Sequence, residues 1–263
     1  MRERTKRRFL PYLLPAGALL LLVGGGMWVC RVNPIRLMEG IPRALELIQC
    51  MVPPAWEKIP GLVRPALETI QIAFVGTAFG ASLSFIIGLL AARNMHSIAL
   101  LRHTTRALLS AERALPDLIV MLFFVAIVGL GALPGVMALI ASSVGMLGKL
   151  FADAIEEIDP KPVEALEAIG ATRLQIIRYA VLPQILPSMI ANTLYRFEVN
   201  IRMSILLGAV GAGGIGFYLV TSMRLLKYQE ALMIILMTMV LVMVCEKSSE
   251  ILRKLIIGDE ILR

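Results

Sequence analysis

The chain has 263 residues, 58% hydrophobic, 17% charged and 6% aromatic, and its 26 lysines and arginines outnumber 19 acidic residues to leave a formal charge of +7. That is too much apolar material for a disordered chain, and three cysteines are too few and odd in number for a disulfide scaffold. The apolar residues are bunched into runs too long for a buried strand or an ordinary core helix, which predicts an all-α integral membrane protein.

In chain order, the basic string RERTKRR (2–8) precedes an apolar run from Phe9 to Val32. A secretory signal starts this way, but the run is too long and no A-x-A site closes it, so a retained transmembrane helix is expected over 9–31. Residues 32–66 are rich in proline, with Ile41, Leu45 and Ile48 at helical spacing and Trp56 after them. This reads either as a short interfacial helix with an aromatic anchor or as a plain linker. Further spans are expected over 67–91, 108–130, 134–154, 186–209 and 229–246, about six transmembrane helices in all. The division follows: an N-terminal segment 1–66, a core 67–255 and a tail 256–263.

Basic residues punctuate the apolar runs instead of forming a solvated face, so nucleic acid is not an expected partner. With the N-terminus inside the cell, the inner segments hold fifteen lysines and arginines and the outer ones seven. That bias places both termini in the cytoplasm of a multi-pass protein of the bacterial plasma membrane. Cys30, Cys50 and Cys245 lie far apart, and His96 and His103 have no acidic neighbour, so no metal site or catalytic residue is expected.

The third span opens with SAERALPDLIV. Arg113 and Asp117 are four residues apart and placed to pair. Pro116 falls near the start of the apolar run, where proline is tolerated. Glu112, Arg113 and Asp117 read as an inner gate or as a plain cluster of helix-end charges.

The loop 155–183 reads IEEIDPKPVEALEAIGATRLQIIRYAVLP. Asp159 with Pro160 and Pro162 is a helix-start signature, and an amphipathic helix is expected from Val163, with Ala165, Leu166 and Ile169 on one side. Gly170 and Ala171 mark its end or bend, and a second stretch carries Leu174, Ile177 and Val181 up to Pro183. Such a helix suits docking to a soluble partner.

In the fifth span Asn192, Arg196, Asn200 and Ser204 recur every four residues, with Arg196 near the expected bilayer centre. A charge there costs about 2.5–3.5 kcal/mol or more, so it must face protein or water. The stripe either lines a polar path, in which Arg196 attracts phosphate- or phosphonate-like oxygens, or bonds neighbouring helices. Glu198 and Arg202 fall on roughly the opposite side and are placed to neutralise each other within the helix, as gate or strut. GAGGIG (211–216) matches a dinucleotide fingerprint, but a transmembrane helix precedes it where a strand is required, so the glycines are read as a tight turn or close helix approach.

Glu164, Ala165, Gly170, Leu182 and Pro183 stand at the spacing of the EAA loop of binding-protein-dependent ABC importer permeases, with Leu166 for the second alanine and Ala180 for the isoleucine. YRFEVNIR, LGAVGAGGIG and ETIQIAFVGT narrow this to a resemblance to the phosphonate/phosphite permeases over about residues 53–255. The resemblance implies a type I importer permease fold with a cytoplasmic coupling helix (Glu164, Ala165, Leu166, Gly170, Ala171, Leu182 and Pro183). It also implies a homodimer, two ATPase subunits below and a periplasmic binding protein above. The chain has no G-x-x-x-x-G-K-[ST], so ATP and Mg²⁺ are expected on the partner ATPase and no cofactor on this chain. Other readings are a permease for another small solute, such as an amino acid, and an ion-coupled transporter, which offers no reason for the 160–183 helix.

Overall fold

The computed structural model describes residues 2–31, 33–95 and 98–257. His96 and the expected tail from residue 258 onward lie outside the described residues. The chain divides into two units, Met1–Cys50 and Met51–Arg263.

The first unit holds α1 (Arg2–Val29), whose described apolar stretch is Gly17–Val29, and α2 (Pro34–Met51). Along α2, Ile41, Leu45 and Ile48 are exposed, so this part of the proline-rich segment is an amphipathic helix.

The second unit is built of helices joined by short loops, with no strand among its described residues. After a single 3₁₀ turn at Trp56–Lys58 comes α3 (Ile59–Ala91), which begins eight residues before the expected span. Pro60 sits in its first turn, where a missing N–H costs nothing. At 33 residues α3 is roughly 50 Å long, more than a bilayer's hydrocarbon core.

The expected third span is not one helix. α4 (Ala99–Arg113) and α5 (Asp117–Val128) flank a break at Ala114–Pro116. Proline cannot donate, its ring crowds the preceding turn, and Pro116 itself is extended (φ −62°, ψ 134°). The break also undoes the expected pairing: no Arg113–Asp117 ion pair occurs among the described residues, and Asp117 instead accepts the Ser142 hydroxyl at 2.5 Å. Next, α6 (Ala132–Glu156) follows the expected fourth span closely.

Among the described residues, α6 packs along α3 more extensively than any other helix pair. Gly76, Gly80, Ser84 and Gly88 recur every four residues on α3 and face it. A Cβ at Gly80 would lie 2.5 Å from Ser143 Cβ, and one at Gly76 would lie 2.7 Å from Leu139 Cβ. Small residues let the backbones close in, which is how helices gain packing where lipid gives no hydrophobic drive. Gly80→Val is expected to force them apart at a cost of about 1–3 kcal/mol. It would be read as a lower melting temperature in detergent, and an unchanged melting temperature would show that the pair yields freely.

α7 (Lys161–Ala168) and the one-turn α8 (Arg173–Ile176) form the loop, and α9 (Leu182–Leu207) follows. The expected stop at Pro183 does not occur, because the helix continues from Arg173 to Ala212. A π-turn at Ile177–Val181, with Leu182 N–H reaching the Ile177 carbonyl, absorbs the mismatch just before the proline. A second π-turn (Gly208–Ala212) ends α9. Gly211, Gly213 and Gly214 have φ of 112°, 80° and 65°, the left-handed backbone that turns the chain into α10 (Gly214–Arg224). Last is α11 (Tyr228–Ile257), which extends well past the expected end at 246.

Candidate coupling and translocation sites

The loop is built for presentation. Asp159 Oδ1 accepts the Lys161 N–H at 3.1 Å and starts α7, and Asp159 N–H donates to Gln184 Oε1 at 2.9 Å, tying the loop's entry to α9. α7 closes in a Schellman motif: Ala171 N–H donates to the Leu166 carbonyl and Gly170 N–H to that of Glu167, both at 3.0 Å. The motif needs the left-handed residue that Gly170 supplies at φ 77°. Thr172 and Gln175 then form a capping box on α8.

Val163 and Leu166 pack inward with Ile155, Ile176, Ala180 and Val181 beneath the end of α3 at Ala92. Glu164 and Ala165 face outward, as does Pro183; Ala171 and Leu182 are half-buried. Ile169 does not share the Leu166 side as expected, for it is 78% exposed at the tip, and Leu174 is 76% exposed. The bend at Gly170 swings both away from the bundle. Two large apolar side chains are thus offered outward on the same loop as the exposed Glu164.

The second site lies halfway along the bundle. Ile185 joins Ala92 and Ile155 at one end, and Ala212 packs on Gly135 at the other. Glu198 is the midpoint between Ile185 and Ala212, roughly 20 Å from each. Around this level Arg196, Asn200 and Ser204 are buried against α3 and α6. Arg196 donates from Nη2 to Ser142 Oγ at 2.6 Å, from Nε to Ser143 Oγ at 3.1 Å and from Nη1 to Met146 Sδ at 3.5 Å. Since Ser142 in turn donates to Asp117, a guanidinium–hydroxyl–carboxylate chain joins α9, α6 and the start of α5. Asn200 Nδ2 donates to Thr77 Oγ1 at 2.8 Å and Ser143 Oγ at 3.0 Å, and Ser204 donates to the Thr69 carbonyl at 3.2 Å. Asn192, half-buried, donates to Ser188 at 3.3 Å. Arg196, Asn200 and Ser204 thus point into the chain's own bundle, whereas Asn192 bonds within α9.

Glu112 lies at the end of α4 and reaches toward Gly145. Its Oε2, like Asn200 Oδ1, is buried with no hydrogen-bond partner among the described residues. Glu112 also borders an apolar cavity of about 630 Å³ between α3, α4, α5 and α6.

Glu198 and Arg202 do not pair with each other as expected. Glu198 pairs with Arg253 at 2.9 Å, and Arg202 with Glu246, both on α11. The antiparallel neighbour offers each charge a partner without bending two side chains of one helix together. The sequence reading missed Ser142, Ser143, Thr69 and Thr77, which receive the stripe. The signal was two adjacent serines in the middle of an apolar span. It also missed Arg106, which ties α4 to α6 through Glu156 at 2.5 Å.

Residues 84–257 match the family of binding-protein-dependent transport system inner membrane components. The chain is 43% identical over 227 residues to the phosphite transport system permease protein PtxC of Stutzerimonas stutzeri, covering 86% of this chain and 82% of that one. It is 39% identical over 230 residues to the phosphate-import permease protein PhnE of Mycolicibacterium smegmatis, covering 88% of this chain and 43% of that one. Among solved structures, an inward-facing MetNI methionine ABC transporter superposes with a TM-score of 0.66 at 25% identity, over 77% of this chain and 99% of that chain.

Proposed function

Because the chain belongs to the family of binding-protein-dependent transport system inner membrane components, we propose that it is the membrane permease of an ATP-driven importer for small phosphorus oxyanions of the phosphite and phosphonate class. The observation that carries the ATP-driven part is the outward-facing α7–α8 elbow, closed at Gly170 and anchored on the bundle. A helix held this way converts movement of a subunit seated on it into movement of α6 and α9, which flank it. Two ATPase subunits supply that movement, a second copy of the chain completes the path, and a binding protein delivers cargo from the opposite face. The positive-inside bias supports a cytoplasmic elbow with both termini on the same side.

The phosphorus oxyanion part rests on the relatives' names, and the test is direct. Proteoliposomes carrying this chain with its ATPase and binding protein are expected to accumulate labelled phosphite or a labelled phosphonate only with ATP and binding protein both present. Accumulation of methionine in place of phosphorus oxyanions, or uptake without the ATPase, would overturn the reading.

A further inference from the structure

Arg113 stands level with the middle of a membrane-crossing helix and has no acid to pair with. At 25 residues, roughly 37 Å, the apolar α6 is long enough to cross the bilayer, and Val144 is its midpoint. The next residue, Gly145, touches the end of α4, where a Cβ would lie 3.2 Å from Arg113 Cγ. Arg113 is exposed and makes no ion pair or side-chain hydrogen bond among the described residues, even with the adjoining Glu112.

α4 sorts its residues by side. Arg102, Arg106 and Arg113 fall on one line at four- and seven-residue spacing, with Ser110 beside it, whereas the exposed Leu100 and Leu108 lie across the helix. α6 adds Lys149, four residues past Gly145 and roughly 8 Å from the midpoint, exposed and also without an ion pair among the described residues. A cleft of about 140 Å³ between α3, α4 and α6 is lined by Lys149, Ser110 and Arg106. Arg106 is already engaged, by Glu156 at 2.5 Å and by the Ala91 carbonyl at 2.9 Å at the elbow end of α3. The polar row therefore runs from the middle of α6 to the elbow end of the bundle. Its unpaired members, Arg113 and Lys149, are both cations. α4 and α6 run antiparallel here, since Arg106 meets Glu156 and Leu109 meets Gly148, so the Cα–Cβ bonds of Arg113 and Lys149 tilt toward each other.

Lipid does not tolerate an unpaired guanidinium at this depth. The like face of a second copy would set cation against cation. Water carrying a mobile anion satisfies both constraints, because Arg113 keeps five donors, Lys149 three and Ser110 one for its oxygens. We propose that Arg113, Ser110 and Lys149 form the water-facing wall that takes the oxyanion through the elbow-side half of its path, while the buried Arg196 braces the helices behind it. The identity of the anion rests on the reading above; the exposure of the wall does not.

The test uses the assembled complex in proteoliposomes, with Cys30, Cys50 and Cys245 changed to serine. Single replacements Ser110→Cys, Arg113→Cys and Leu108→Cys are treated from the ATP side with a membrane-impermeant maleimide. Ser110→Cys and Arg113→Cys are expected to label, Ser110→Cys more slowly in excess phosphite, and Leu108→Cys to stay unlabelled. In the native background Arg113→Gln should lower ATP-driven phosphite uptake by about tenfold at an unchanged melting temperature, as loss of a charged hydrogen bond to cargo predicts, and Arg113→Lys should restore most of it. Unchanged uptake in Arg113→Gln would overturn the wall, as would a melting temperature that falls with uptake, or failure of both polar positions to label while the native complex imports phosphite. A native complex that imports no phosphorus oxyanion overturns the cargo reading instead, and labelling then decides the wall by itself.

Discussion

Replacing Arg196 with alanine is expected to remove folded protein before it removes any single contact to cargo. The guanidinium is 5% exposed and satisfies Ser142 and Ser143, and through Ser142 it is the counter-charge to Asp117. Without it, a carboxylate and two hydroxyls stay in the bundle with their partner gone. Deleting one side of a buried charged network costs about 3–5 kcal/mol, far above the few tenths typical of one neutral bond between membrane helices. The measurement is thermal unfolding of the purified protein in detergent, beside its yield at matched expression. A large drop in melting temperature is expected, with Arg196→Lys recovering only part of it because one ammonium cannot span both serines as a fork does. A variant with unchanged yield and melting temperature that nonetheless fails to import phosphite would instead make Arg196 a group that meets the anion.

Substitution in the elbow is expected to separate ATP hydrolysis from transport while leaving the bundle folded. Gly170 lies at φ 77°, has open space around its α-carbon, and ends α7 through the Ala171–Leu166 and Gly170–Glu167 bonds. Valine is a severe outlier there, whereas asparagine visits this region readily. Gly170→Val should therefore cut substrate-stimulated hydrolysis in the reconstituted complex by about tenfold, and Gly170→Asn by much less, in keeping with about 1–2 kcal/mol for a left-handed non-glycine residue. Glu164→Lys, a charge reversal on the presented face, should give a similar loss with no change in melting temperature. Normal coupling in both Gly170→Val and Glu164→Lys would remove the elbow from the coupling mechanism. Equal losses for valine and asparagine would show that space, not backbone conformation, is what the partner reads.

Much of this was legible beforehand because it is local. Twenty apolar residues must cross a membrane wherever they occur, so the spans over α6 and the start of α11 follow from composition alone. Asp159, Pro160 and Gly170 start and stop a helix by their own conformational limits, so the elbow and its ends were readable residue by residue. The tight turn at Gly211–Gly214 belongs to the same class.

What required the assembled chain were the pairings, because a side chain's partner depends on which helix lies next to it. From sequence Glu198 and Arg202 satisfy each other at four-residue spacing; in the structure α11 runs alongside and takes both, Glu198 through Arg253 and Arg202 through Glu246. Pro116 reads as tolerable near the start of a span, yet it breaks the helix, because it cannot donate and its own backbone is extended, and the break leaves Asp117 to Ser142 on α6. Pro183 reads as a stop and is passed, since a π-turn before it lets the helix run on. Amino-acid identity thus decided which segments are helical, while the partner of each charge was set only when α3, α6, α9 and α11 closed on one another, because a side chain bonds whatever the neighbouring helix brings within reach.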